Sequence, residues 1–431
     1  MASTDQHVIV ISYDAFSKDN WAAASVQPNM AKLLEKGAYT TEVQSVYPTL
    51  TYVIHSSYVT GYYPNKHGVF HNNPFQPFVP ENEQDWHWFR EDIYGTTIYE
   101  VAKQHGLRTA SILWPVTGKA DIHYNIPEIK AVRNENQALK VLMNGSKWFS
   151  LSMELKYGKY RNGIAQPELD DFITMSAVDT ILTKRPNLFL LHLIDLDDAK
   201  HEMGTTGPHI DNVICRMDRR LGKIIRAVED AGIANKTTFI IIGDHGQLDV
   251  QYKVRLNVLF AQHGLIYEEA GKWQWRAYVQ SAGGSAFLHI KLGDKEAEQK
   301  ALQLLQQAID DDLYGIEALY TREQLDELQV EKKYRYMLEA KRGYAFDDNH
   351  TGEILEDLHA KQIHFATHGY SPLKPNYTSN FVVSGPTIAA NKQLGPMEVV
   401  DLAPTIAAIL NIPFHTCDGQ ARTAIFKKKD N

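Results

Sequence analysis

An α/β protein built on a doubly wound, mostly parallel sheet flanked by helices is what this sequence predicts, on three observations. Short apolar, β-branched runs recur along the chain, helical patterns separate them, and conspicuous acidic and histidine residues follow several of the runs directly. A strand covered on both faces reads as a near-continuous apolar run, and successive parallel strands need a crossover, usually a helix, between them. That alternation separates this chain from all-β and all-helical designs.

In chain order, residues 7–12 (HVIVIS) predict the first core strand, and residues 28–37 (PNMAKLLEKG) a helix with apolar residues at helical spacing and a terminal glycine. Residues 96–106 (TTIYEVAKQHG) repeat the helical pattern and lead into a strand at 108–114 (RTASILW). The apolar runs at 187–194 (NLFLLHLI) and 237–243 (TTFIIIG) complete the clearest strands, with a long helical pattern at 213–232 between them. From 254 to about 350 the character changes. AYVQ and SAFLHIKLG read as strands, EAEQKALQLLQQAIDDD as a helix, and the charge density rises. The expected organisation is a core of residues 1–253 and 351–431 interrupted by an α+β subdomain at 254–350. The core resumes with a strand at 380–385 and closes with a helix at 398–411.

A chain of 431 residues, 44% hydrophobic and 22% charged, is ordinary for one elaborated globular core with an insertion. The net charge of -8 argues against a nucleic-acid duplex as ligand, because backbone affinity needs clustered Lys and Arg. A small anionic substrate remains compatible if metal ions bind it. Cys215 and Cys417 have neither zinc-knuckle nor disulfide-framework spacing and read as idle thiols. The start lacks a basic flank with a long apolar stretch, and no run approaches the ~20 apolar residues of a membrane span. The chain as given therefore predicts a cytoplasmic location, and it carries no signature of an oligomeric state.

Functional groups of open α/β sheets gather beyond the carboxyl ends of the strands. Asp14 follows one apolar run, Asp197 another, and the pair Asp244-His245 a third. Any single acidic residue after a strand is more simply a turn or cap residue. Three such sites, two of them coupled to a histidine, point to metal ligation. Asp197 and His201 are four apart and share a face if the segment is helical, with Asp195 and Asp198 as rivals. In Gly243-Asp244-His245-Gly246, small neighbours let carboxylate and imidazole approach one ion. His368, with His364 as its rival, gains weight only from this company. The nucleophile candidate lies in residues 47–61, where a turn enters a helix from about Thr51. A hydroxyl there meets unpaired N–H groups and the positive end of the helix dipole, which favour an anion. The plainer reading is that Thr51, or Thr49, is an N-cap.

In this order the motifs resemble the nucleotide pyrophosphatase/phosphodiesterase family of the alkaline phosphatase superfamily. Asp14, PTLTYVIH with Thr51, YYPNKHGVFHN with Asn72, Asp197 and His201, GDHG, and THGY with His368 follow that family's series of ligands and nucleophile. The resemblance implies an alkaline-phosphatase-like core and a two-metal hydrolase acting on phosphodiester or pyrophosphate bonds of nucleotides. It implies two zinc ions, for which manganese can substitute. One is held by Asp14, Thr51, Asp244 and His245, the other by Asp197, His201 and His368. Thr51 then attacks phosphorus to form a phospho-threonine, and Asn72 donates to a phosphoryl oxygen. Three carboxylates against two divalent cations leave one surplus positive charge, which a deprotonated threonine neutralises.

By the same resemblance Tyr52 can stack on a base, and Trp114, Tyr124 and Tyr370 are candidate pocket aromatics, with core packing the equal alternative for those three. The sequence departs from the family after the nucleophile, where Tyr52-Val-Ile-His55 replaces Phe-Pro-Asn-His. The loop from His71 to Trp88 and the insertion are the expected determinants of substrate choice. No Cys/Ser-x-Pro-x-Arg context marks a sulfatase, and no Arg follows Thr51 until Arg90 to grip a phosphomonoester dianion. A phosphonoacetate-type hydrolase shares the nucleophile and ligands. A catalytically silent nucleotide-binding scaffold keeps the fold but loses ligands or metal.

Overall fold

The computed structural model describes residues 5–428. Thr237–Gly243, His7–Tyr13, Leu188–Leu193 and Thr109–Ile112 lie side by side in that order, all parallel, and Tyr124–Ile126 extends them at one edge. On the other side Ser379–Ser384 runs antiparallel between Thr237–Gly243 and Gly37–Gln44. The sheet is therefore mixed with a parallel majority. Side chains alternate across it: Val8, Val10, Ile240 and Ile242 join the core on one face, and Ile9, Ile11, Phe239 and Ile241 the core on the other. Each such burial contributes about 1.5–3 kcal/mol, which is why the runs contain so few polar residues.

The helix Pro208–Asp230 packs Ile210, Val213, Ile214, Met217, Leu221 and Ile224 on the second face. It also carries Arg220, which is buried. Arg220 pairs with Asp195 and with Asp171 (2.9 Å), while Asp170 accepts the backbone N–H groups of Ile194 and Asp195, both at 3.1 Å. This network pins the start of the helix Asp195–Met203, which carries Asp197 and His201. Removing one partner of a buried ionic network leaves charges uncompensated. Arg220→Met is expected to cost about 3–5 kcal/mol of unfolding free energy, measured by guanidinium titration. A cost below about 1 kcal/mol would refute the anchoring role.

Residues 254–350 add no strand to the central sheet. They hold a four-stranded antiparallel sheet ordered Ala277–Ser281, Ser285–Ile290, Met337–Ala340, Ile316–Tyr320, together with the helix Lys295–Asp310. Asp294 caps that helix by accepting from Ala297 N–H at 3.0 Å. A separate small sheet straddles both ends of the segment, since Leu248–Val254 pairs with Gly343–Phe346, Leu355–Asp357 and Ala366–Thr367.

Glu339 stitches this region to the core. It is fully buried, accepts from Tyr47 Oη (3.1 Å) and Ser371 N–H (2.9 Å), and lies 3.2 Å from Lys374 Nζ. Burial pushes its carboxyl up to about 7, with Lys374 opposing. The folded state therefore holds a proton that the unfolded chain releases near the ordinary glutamate value, so stability falls as pH rises from about 4.5 through 7 and levels off above. Glu339→Gln is expected to remove a pH-dependent loss on the order of 3 kcal/mol, read as a flatter melting temperature between pH 5 and 8 than in the parent. Parallel curves would contradict the assignment.

Candidate metal centre and nucleophile

The helix Thr51–Thr60 is buried along its whole length and ends at Gly61, whose φ of 71° closes it in the left-handed conformation. Its N-cap is Leu50, which offers no capping side chain, so Thr51 stands at the first helical position and its hydroxyl is not used as a cap. Thr51 Oγ1 lies 3.2 Å from His245 Nε2. Thr49, the alternative, is fully committed. Its hydroxyl donates to the Tyr370 carbonyl (2.9 Å) and accepts from Gly369 N–H (3.0 Å). Asn72 Oδ1 accepts from Tyr52 N–H at 3.0 Å. Because a backbone N–H can only donate, the orientation of that amide follows, and its NH2 group is left as a donor beside Thr51.

Asp14 and Asp244 follow adjacent parallel strands, so their side chains meet at one end of the sheet. Asp244 Oδ1 accepts the N–H groups of Ala15 (3.0 Å) and His245 (2.9 Å). Its other oxygen, and Asp14 Oδ1, are buried without a hydrogen-bond partner among the described residues. His245 Nε2 stands 3.3 Å from Asp14 Oδ1 and 3.4 Å from Asp244 Oδ2. Beside this group, Asp197 Oδ2 lies 3.3 Å from His201 Nε2, and the rings of His245 and His368 stack 3.9 Å apart. His201 and His368 each donate Nδ1–H to a backbone carbonyl, those of Ala366 (2.7 Å) and Thr49 (2.9 Å). Both Nε2 lone pairs are thereby left for an ion, the usual arrangement of metal-ligating histidines.

Electrostatics support cation binding. Burial, reinforced by Asp197 and Asp244, drives the Asp14 carboxyl well above the ordinary range, and burial together with Asp197 raises Asp244 despite the opposing His192. Burial also pushes His245 and His368 down to about 3, which leaves both imidazoles neutral and able to ligate. Orphaned carboxylate oxygens facing neutral imidazoles fit divalent cations. His55, His192 and Asp244 also cluster. Both nitrogens of each histidine there are already engaged: His55 with the Thr51 carbonyl and Ser12 Oγ, His192 with Glu128 and Asp14.

Two of the rival ligand candidates and most of the candidate pocket aromatics lie in other settings. Asp195 is held by Arg216 and Arg220 and is structural, and exposed His364 stands outside the cluster. Trp114 is sealed in the core against His55, and Tyr370 is equally buried with its hydroxyl on the Tyr344 carbonyl, so neither offers a face to substrate. Tyr124 packs on Phe149 under Lys184, away from the cleft beside Thr51. Tyr52 does border that cleft, but its ring is buried edge-on to Trp86 and its hydroxyl is tied to Glu128 at 3.1 Å.

Other residues near the centre escaped the sequence reading. His192 bridges Glu128 Oε2 (2.7 Å) and Asp14 Oδ2 (3.1 Å); an isolated imidazole in an apolar strand was its signal. Gln247 donates to Asp197, and Lys200, fully buried, donates to the Ala15 carbonyl at 2.6 Å. Burial lowers Lys200 to about 8 against the pull of Asp197.

The family model for type I phosphodiesterase / nucleotide pyrophosphatase matches residues 8–371. The chain belongs to this family. Among its curated relatives is a venom phosphodiesterase of Crotalus durissus collilineatus, 25% identical over 260 residues that cover 56% of this chain and 26% of the relative. Human ectonucleotide pyrophosphatase/phosphodiesterase family member 1 is 24% identical over 255 residues, covering 55% and 23%. The chain thus spans about a quarter of the length of these relatives. Murine ectonucleotide pyrophosphatase / phosphodiesterase 5 shares the fold, with a TM-score of 0.69 at 19% identity over 98% of this chain and 100% of that one. An inactive variant of that mouse protein has been solved in complex with AMP, at a TM-score of 0.69 and 18% identity. No helix among the described residues is long and apolar enough to cross a membrane. The cytoplasmic location expected from the sequence finds no support in relatives that include venom enzymes.

Proposed function

We propose that this chain hydrolyses phosphodiester or pyrophosphate bonds of nucleotides, with Thr51 as nucleophile. The observation that carries this reading is the placement of Thr51 Oγ1 at 3.2 Å from His245 Nε2, beside the orphaned oxygens of Asp14 and Asp244. Asp14, Thr51, Asp244 and His245 would hold one ion, and Asp197, His201 and His368 the other. Two zinc ions, or manganese in their place, supply positive charge that neutralises the phosphoryl oxygens and eases loss of the hydroxyl proton. Thr51 Oγ1 forms a bond to phosphorus as the ester oxygen leaves, and water then cleaves the phospho-threonine and restores the hydroxyl. The amide NH2 of Asn72 donates to a phosphoryl oxygen during both steps. Family membership and the ligand chemistry support this reading. Residues 254–350 act in it as an inserted unit that backs the His71–Trp88 loop, since Phe75 stacks on His289 at 3.8 Å.

The test is an assay of metal-quantified protein on the nitrophenyl diester of a nucleotide, nitrophenyl phosphate and phosphonoacetate. Preference for the diester with about two zinc ions per chain supports the proposal. Preference for the monoester or the phosphonate replaces the substrate class, and protein without metal or turnover is the silent scaffold.

A further inference from the structure

Asp14 and Asp244 follow neighbouring strands, yet different groups hold their carboxylates in place. Asp244 Oδ1 accepts two backbone N–H groups, those of Ala15 and His245, so the main chain itself leaves Oδ2 for an ion. Asp14 has no such backbone clamp among the described residues. Its Oδ2 is hydrogen-bonded to His192 Nε2 at 3.1 Å, and its Oδ1 is without a hydrogen-bond partner, 3.3 Å from His245 Nε2. One side chain therefore decides which oxygen of Asp14 is offered to an ion.

That side chain is held in turn. His192 is completely buried on the strand Leu188–Leu193, and its Nδ1 lies 2.7 Å from Glu128 Oε2. Ionised carboxylates only accept, so His192 meets both of them only with a hydrogen on each nitrogen. Glu128 comes from beyond the edge strand Tyr124–Ile126 and reaches His192 past the intervening strand Thr109–Ile112. Its other oxygen accepts from Tyr52 Oη at 3.1 Å, and Tyr52 N–H donates to Asn72 Oδ1 at 3.0 Å. A continuous run of hydrogen bonds thus joins Asn72, the proposed phosphoryl donor, to one ligand of the metal centre, and Glu128 stands in its middle. Partners of this kind fix the orientation of a ligand before the ion arrives.

We infer that Glu128 is a positioning residue, which acts through His192 to hold Asp14 with Oδ1 presented to the ion bound by Asp14, Thr51, Asp244 and His245. The inference rests on the metal centre proposed above and on no particular substrate. The other group of ligands has supports of its own: Gln247 on Asp197, and the Ala366 and Thr49 carbonyls on His201 and His368. None of these involves Glu128, so its influence is confined to the Asp14 site.

The test is a zinc titration in competition with a chromophoric chelator, run in two backgrounds. The double variant His201→Ala, His368→Ala leaves the Asp14 site, and Asp244→Asn leaves the Asp197 site. Glu128→Gln keeps the size of the side chain and removes its charge. In the first background it should raise the zinc dissociation constant by about 10–100-fold, and in the second leave it within about threefold. An intact Asp197 site also shows that the variant is folded. His192→Leu should weaken the Asp14 site as well, and adding Glu128→Gln to it should cost nothing further, because one residue acts through the other. Equal losses at both sites would make Glu128 a general support of the fold and overturn the inference. An unchanged constant at the Asp14 site, or losses that add in full when the two substitutions are combined, overturns it too and leaves the proposed reaction standing. If the parent protein takes up no zinc, the metal centre and this inference fall together.

Discussion

Thr51→Ala is expected to lose several orders of magnitude in kcat while keeping its fold and most of its metal. The hydroxyl is the one oxygen positioned at the first turn of a buried helix, 3.2 Å from His245, and alanine leaves nothing there to bond to phosphorus. The fold should persist because alanine favours helix and the lost group caps nothing. Six of the seven proposed ligands remain, so zinc content should fall little. The decisive comparison is single-turnover chemistry against metal content and melting temperature, measured on the same preparation. Activity within tenfold of the parent would remove Thr51 from the mechanism, whatever the metal content.

Asp244→Asn is expected to abolish turnover of the zinc-supplied protein and yet raise the melting temperature of the chelated protein. Asparagine keeps the oxygen that accepts from Ala15 and His245 N–H, so the local backbone is preserved. It removes a buried carboxylate whose second oxygen has no partner and whose ionised form is opposed by Asp197. Without cations that charge destabilises the fold, and its removal should contribute about 1–3 kcal/mol, within the range for an unpaired buried polar group. With saturating zinc the order should invert, because the parent gains ligand-binding energy and the variant does not: about 4 kcal/mol at a thousand times the dissociation constant. If chelation stabilises the parent, or leaves its turnover intact, the metal centre is misassigned.

How legible the centre was depended on the kind of signal each residue leaves. Asp14, Asp197 and the Asp244-His245 pair each follow an apolar run, and strands that are parallel neighbours bring their carboxyl ends together. Spacing linked Asp197 to His201, since one helical turn aligns them, but by itself it was a weak signal. It did not separate Asp197 from Asp195, two positions away in the same turn. That choice depends on Arg216 and Arg220, which reach Asp195 from another helix. Two of the candidate pocket aromatics were ambiguous for a related reason. An aromatic residue near a motif can face the cleft or the core, and Trp114 and Tyr370 face the core.

The sequence by itself determined the four parallel core strands, the helix that begins at about Thr51 and the acidic residues placed close behind three of those strands. Those follow from apolar runs, helical periodicity and short spacings, all of which act between residues close along the chain. Only the tertiary structure decided which carboxylate oxygens stay unpaired, that Asn72 accepts from Tyr52 N–H through Oδ1, and that His192 joins Glu128 to Asp14. It also decided which side chains line the cleft beside Tyr52, most of them apolar. Those properties are set by contacts between distant segments, such as Glu128 with His192 and Thr51 with His245, and local pattern carries no record of them.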